Sequence, residues 1–252
     1  MKTSYENQVV WIIGASSGIG LALARELSMR GAILALSARR LSALEQLKSE
    51  LGDRHSIFIL DITDAEATLR TVDSVHTTFG RIDRIVFLAA AYTPMKIEAI
   101  NITVAKHMIE VNLTSAFNLL HAVLPIFKTQ KTKGQIALCG SVAGYVGLPG
   151  GQPYSATKAA IINLSESLYA ECGDLIDIKL INPGFVRTPL TDKNNFKMPL
   201  LLEPEEAAKK IAEGLQTKRF EIHFPKKLTV FLKVLRLLPY AFSLRLIRMI
   251  KL

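Results

Sequence analysis

Little in this chain could hold a metal or a disulfide framework. Its 252 residues include two cysteines, Cys139 and Cys172, and five scattered histidines, His55, His76, His107, His121 and His223. No His-Glu-x-x-His or paired-cysteine spacing occurs, which argues against a protein metal site. Reduced thiols in a cytoplasmic protein are the simpler expectation. No secretory signal is expected at the N-terminus, where the first apolar run, Val9-Val10-Trp11-Ile12-Ile13, is short and stops at Gly14. No uninterrupted apolar stretch is long enough to cross a bilayer. Acidic residues are missing from 225–252, which carries seven basic ones: Lys226, Lys227, Lys233, Arg236, Arg245, Arg248 and Lys251. These supply seven of the net +9, so residues 1–224 carry only +2. A nucleic-acid footprint across the domain is therefore not expected.

What the chain does contain is a regular alternation. Apolar segments of strand length at 9–13, 33–37, 57–60, 84–88, 135–139, 176–181 and 220–224 alternate with helical periodicity at 19–30, 42–51, 63–79, 103–124, 153–172 and 204–215. Ser42 and Glu45 have capping-box spacing, which makes Ser42 the expected cap of the second helix. Repeated β-α-β units with apolar strands predict an α/β fold, a doubly wound parallel sheet with helices on both faces. Residues 1–224 read as one domain, and 225–252 as a basic amphipathic tail.

The first strand runs into Gly14-Ala15-Ser16-Ser17-Gly18-Ile19-Gly20 and then a helix. Glycines there allow a tight turn and close approach of a pyrophosphate to the helix N-terminus. The second strand ends at Ser37-Ala38-Arg39-Arg40. Ala38 offers no carboxylate for the 2′-hydroxyl of NAD, whereas a basic side chain suits the 2′-phosphate of NADP. Arg39 is the better candidate, with Ser16 adding a hydroxyl; NAD stays possible, and both arginines also read as solvated loop charges. Asp61 follows the third strand and reads either as an adenine contact or as a residue opening the next helix.

Tyr154-Ser155-Ala156-Thr157-Lys158 puts a phenol and an ammonium four residues apart. On a helix they share a face, about 5–6 Å apart at Cβ. A fixed positive charge favours phenolate, which suits general acid–base work. The same spacing also fits an ordinary surface helix.

In this order and spacing, the segments resemble the short-chain dehydrogenase/reductase family over residues 8–224. Ser141, in Cys139-Gly140-Ser141-Val142-Ala143-Gly144, resembles the family's catalytic serine and precedes Tyr154 by thirteen positions. Asn112 stands where the family carries an active-site asparagine. Asn182-Pro183-Gly184-Phe185-Val186-Arg187-Thr188 resembles the segment that holds the nicotinamide amide. The resemblance implies a Rossmann-like sheet of about seven strands, a homo-oligomer (dimer or tetramer), and hydride transfer between NAD(P) and a carbonyl or alcohol. It implies Tyr154 as general acid/base, Lys158 as its modulator and a ribose contact, Ser141 as the substrate-oxygen donor, and Asn112 as support for a proton-carrying water chain. It implies a cofactor site of Gly14, Ser16, Ser17, Gly18, Ile19, Gly20, Arg39, Asp61, Ile62, Ala89, Ala90, Tyr154, Lys158, Pro183, Gly184, Val186 and Thr188. Ile13 and Phe87-Leu88-Ala89-Ala90 depart from the family's usual Thr and Asn-Asn-Ala-Gly, so apolar packing is expected there in place of polar support. Cys139, where serine is frequent, reads as a small buried residue.

Apolar residues dominate the segments expected to line a substrate pocket: Tyr92, Met95 and Ile97; Tyr145, Val146 and Leu148; Leu190, Phe196, Met198, Leu200, Leu201 and Leu202. They favour a lipophilic small-molecule substrate, with ordinary core or subunit contacts as the competing reading. In the tail, helical register sets Lys226, Thr229, Lys233, Arg236 and Tyr240 on one side. Leu228, Phe231, Leu232, Val234, Leu235 and Leu238 occupy the other. After a break at Pro239, Arg245, Arg248 and Lys251 share an arc, with Leu244, Leu246, Ile247, Met249 and Ile250 opposite. Such a tail suits peripheral contact with the inner face of a membrane, or packing against protein. The expected function is an NADP-dependent oxidoreductase. A catalytically silent nucleotide-binding regulator or scaffold is the alternative, and an isomerase or dehydratase on the same fold is the third reading.

Overall fold

The computed structural model describes residues 5–249. Val9–Ile13 (β1), Ile33–Ala38 (β2), Ser56–Ile59 (β3), Arg84–Phe87 (β4), Gln135–Cys139 (β5), Asp177–Pro183 (β6) and Glu221–Phe224 (β7) form one seven-stranded sheet. Every pairing is parallel, in the order β3-β2-β1-β4-β5-β6-β7. Strand order reverses between β1 and β4, which opens a crevice at the carboxyl ends of the strands.

The helices are α1 (Gly18–Met29), α2 (Leu41–Leu51), α3 (Ala65–Phe79), α4 (Ile102–Ile109), α5 (Ser115–Thr129), α6 (Tyr154–Cys172), α7 (Pro204–Leu215), α8 (Lys226–Leu237) and α9 (Tyr240–Met249). β1 shows why they form two layers. All five of its residues are buried, and alternate side chains point to opposite faces. Val10 and Ile12 pack with Leu23 and Leu27 of α1 and Ile211 of α7. Trp11 and Ile13 pack with Val72 of α3, Leu119 and Val123 of α5, and Ile161 of α6.

Two local expectations are corrected. Ser42 is not a cap: α2 starts one residue earlier, so Ser42 lies inside its first turn, and Arg40 precedes the helix without a side-chain capping bond. The helix expected over 103–124 runs from 102 to 129, with a π-helical turn at Glu110–Thr114 and Pro125 in its interior. Burial of Ala122, Val123 and Phe127 against the sheet carries it through the proline. By length and composition alone this helix could cross a membrane, yet Ala116, Leu119 and Val123 belong to the core under the sheet.

The tail folds back onto the domain. Leu232 and Leu235 of α8 join the core beside Leu228 and Ile247, and Leu238-Pro239 separates α8 from α9 as expected. The single apolar face expected for α8 is in fact two. Thr229, Leu232 and Leu235 point inward, while Val230, Phe231, Val234 and Leu237 point outward. Ile250 and Lys251 lie outside the described residues.

Candidate active site

The crevice between β1 and β4 holds a cavity of about 480 Å³. Its floor is the turn between β1 and α1. Gly14 has φ +98°, and a Cβ on it would stand 2.8 Å from the backbone nitrogen of Ala89. A Cβ on Gly20 would stand 2.1 Å from the carbonyl oxygen of Gly14. Only glycine lets the turn close this tightly and keep its amides open to a ligand. The expected apolar support is present here: the Leu88 amide donates to the Ile13 carbonyl at 2.8 Å, and Leu88 and Ala89 pack against the two cores.

All seventeen residues expected at the cofactor line this one cavity, together with Ser141. Arg39 and Arg40 stand exposed at its rim beyond Ala38. Arg40 also donates to the Ser16 carbonyl and hydroxyl at 3.1 and 3.2 Å. Asp61 does not open the next helix, since α3 starts at Ala65 with Asp64 as its cap. Asp61 lines the cavity, and its carboxylate accepts from the Thr63 amide and hydroxyl at 3.1 and 2.8 Å. Burial pushes the Asp61 carboxyl up, but the Thr63 bonds and the charges of Arg39 and His107 outweigh it and leave it below the usual range.

Tyr154 opens α6, so its phenol and the Lys158 ammonium one turn later face the cavity together. Lys158 Nζ sits 5.5 Å from the centre of the Tyr154 ring and donates to the Cys139 carbonyl at 2.7 Å. Burial lowers the Lys158 pKa. Burial also raises that of Tyr154, helped by Cys139 and Tyr92 and opposed by a hydrogen bond with Ser141. The phenol thus stays protonated, with a serine hydroxyl beside it.

Asn112 lies one layer behind the wall, fully buried in the π-helical turn. Its amide group accepts from the Ala91 amide at 2.7 Å and donates to the Ala91 carbonyl at 2.9 Å and the Thr157 hydroxyl at 3.1 Å. Thr157 in turn donates to the Tyr154 carbonyl at 2.7 Å. Asn112 therefore straps the loop after β4 to the first turn of α6, and its side chain does not line the cavity.

The expected substrate lining is only partly assembled. Leu190 lines the cavity and Tyr92 packs against Tyr154. Ile97 and Leu200 are exposed, and Leu202 pairs with Val186 as a β-bridge. Tyr145 takes the competing core reading and does not line the cavity. It is buried in the core, and its hydroxyl donates to Glu221. Glu221 also accepts from Asn182 Nδ2 at 2.7 Å and from Lys233. Sequence reasoning missed this cluster, although Glu221 is the last acidic residue before the basic tail.

A family model described as short chain dehydrogenase matches residues 8–199. The chain is a short-chain dehydrogenase. Among its relatives, an uncharacterized oxidoreductase of Myxococcus xanthus is 34% identical over 94% of each chain. The 11-beta-hydroxysteroid dehydrogenase A of Arachis hypogaea is 36% identical over 76% of this chain and 56% of its own length. A short chain dehydrogenase of Burkholderia cenocepacia in complex with NADP superposes with TM-score 0.84 at 24% identity, over 97% of this chain and 99% of its own. A Burkholderia phymatum relative in complex with NAD gives 0.83 at 20% identity, over 92% and 93%. These two share the fold. As a short-chain dehydrogenase the protein is a nucleotide-binding oxidoreductase with a Rossmann-like sheet.

Proposed function

We propose that this short-chain dehydrogenase is an NADP-preferring reductase of a lipophilic carbonyl compound. The observation that carries the reading is the convergence of Ser141, Tyr154 and Lys158 on a cavity whose far rim holds Arg39 and Arg40 where Ala38 leaves no carboxylate. The glycine cradle fits a dinucleotide, since the space a Cβ would fill at Gly14 and Gly20 is where the turn closes. Gly14 to Gly20 would hold the pyrophosphate, Arg39 and Arg40 the 2′-phosphate, Asp61 and Ile62 the adenine end, Lys158 the ribose, and Val186 and Thr188 the carboxamide. The bound cofactor supplies the hydride. Tyr154, kept protonated by burial, donates its proton to the substrate oxygen. Ser141 hydrogen-bonds the same oxygen and orients it. Lys158, tied to the Cys139 carbonyl, puts positive charge beside the phenol as its proton leaves. Asn112 holds the loop after β4 and the first turn of α6 in register. The complete set speaks against a silent scaffold.

Lipophilic preference is supported by Tyr92, Leu190 and the Phe185–Phe196 ring pair, centroids 5.7 Å apart, and by the steroid-dehydrogenase relative. The test is oxidation of NADPH against NADH over a panel of lipophilic ketones and aldehydes. Tyr154→Phe is expected to lower kcat by about 10²–10⁴-fold. Arg39→Asp is expected to shift preference toward NADH. Turnover indifferent to Tyr154→Phe overturns the mechanism, and NADPH selectivity unchanged in both Arg39→Asp and Arg40→Asp overturns the cofactor assignment.

A further inference from the structure

The outward faces of α8 and α9 carry a surface that nothing in the described fold covers. Val230, Phe231, Val234 and Leu237 form a stripe on α8; Phe231 is 56% exposed and Leu237 84%. Tyr240, Phe242, Leu244 and Met249 stay exposed on α9. An apolar stripe of this extent marks a contact surface. The charges on the two helices are sorted. Lys233 is taken up by Glu221, and Lys226 lies 2.9 Å from His223. Lys227, Arg245 and Arg248 are exposed, with no ion-pair partner among the described residues.

We propose that this face docks on an anionic lipid bilayer, with the apolar side chains in the interface and Lys227, Arg245 and Arg248 on lipid phosphates. The charge pattern selects this occupant. A second copy meeting the same face across a two-fold axis would set cation against cation, because 225–252 contains no acidic residue to answer them. An anionic leaflet pairs with all of them. Length sets the mode. The twelve residues of α8 span about 18 Å, short of the roughly 30 Å hydrocarbon core, so the helices lie in the surface and do not cross it. Leu232 and Leu235 stay packed on the domain, so docking needs no unfolding of the tail. The proposal does not depend on which substrate or cofactor the cavity takes.

The test is co-flotation of the full-length protein with vesicles of phosphatidylcholine alone and of phosphatidylcholine mixed with phosphatidylglycerol, at low and high salt. Two double variants accompany it, Phe231→Ser with Leu237→Ser, and Arg245→Glu with Arg248→Glu. Their melting temperatures report folding, and sedimentation equilibrium reports association. Binding to the anionic vesicles is expected to weaken with salt and to drop at least about tenfold in each double variant, with melting unchanged. Equal flotation of wild type and variants, or none of wild type with anionic vesicles, overturns the proposal. An oligomer that the Phe231/Leu237 variant dissociates, with vesicle binding unchanged, also overturns it and gives the face to a second copy.

Discussion

The ring of Tyr92 meets the ring of Tyr154 edge-on, with centroids 4.9 Å apart. The Tyr92 hydroxyl donates to Asn194 Oδ1 at 2.7 Å, and Lys193 Nζ donates to the Tyr92 carbonyl at 2.7 Å. One aromatic residue thus joins Tyr154 to the loop beyond Thr188. An edge-to-face pair contributes about 0.5–1.5 kcal/mol and the hydrogen bond about 1 kcal/mol. Tyr92→Ala is expected to lower kcat/KM for a lipophilic substrate about tenfold or more, mostly through KM. Tyr92→Phe keeps the ring contact and should cost only severalfold. Steady-state kinetics of both variants check this. Equal effects would separate the loop bond from the ring contact and discard the link.

The Cys139 thiol lies within the Lys158 surroundings, yet burial pushes its pKa up more than the Lys158 charge pulls it down. It is held as a thiol, a poor nucleophile. Lys158 is anchored by the Cys139 backbone carbonyl and not by the sulfur. Cys139→Ser should therefore leave kcat/KM within about twofold, and iodoacetamide should not inactivate the folded enzyme near neutral pH. Rapid inactivation that Cys139→Ser abolishes would reassign the residue to the chemistry.

Glu221 ties the tail to the loop after β5 and to the end of β6. Its carboxylate binds Lys233 of α8, Tyr145 just after Ser141, and Asn182 just before Pro183. Burial raises its pKa, but those three hydrogen bonds prevail and leave it below the usual range. A depressed carboxyl stabilises the fold at pH above its unfolded value, about 4.3, and that stability is lost as pH falls through the folded value. Glu221→Gln is expected to cost about 2 kcal/mol, with a coupling to Lys233→Met of about 1–2 kcal/mol in a double-mutant cycle. Urea unfolding at neutral pH measures both. A coupling near zero would reduce the pair to a surface contact.

The fold and the cavity lining are legible because each rests on local sequence. Apolar strands, the Gly14–Gly20 turn and the Tyr154–Lys158 spacing act within a few residues of themselves. What escaped depends on distant partners. Tyr145 reads as a pocket residue until Glu221, seventy-six positions away, takes its hydroxyl into the core. Asn112 stands out by position, while its bonds to Ala91 and Thr157 depend on elements distant in sequence. The helical period of α8 marks apolar positions without telling which of them the body covers. Phe231 and Leu232 are neighbours in sequence and lie on opposite sides of the surface. The sequence favours Arg39 over Arg40, and only the loop geometry gives Ser16 to Arg40.

His55 gives the last prediction, a stability one. It is fully buried, its Nδ1 accepts the Leu34 amide at 3.1 Å, and its Nε2 lies 3.0 Å from the Ser28 hydroxyl. Burial lowers its pKa, with the Arg54 charge acting in the same direction. Protonation would place a donor against the Leu34 amide and bury an unpaired charge. The native state therefore favours neutral His55. Its contribution is whole above the unfolded pKa of about 6.5 and falls away as pH drops through the lower folded value. Wild-type stability should decline as pH falls below about 6.5, and His55→Gln, which cannot titrate, should remove part of that slope while lowering stability at pH 7. Urea midpoints across this range decide it: parallel curves for the two proteins would mean that His55 does not drive the acid sensitivity.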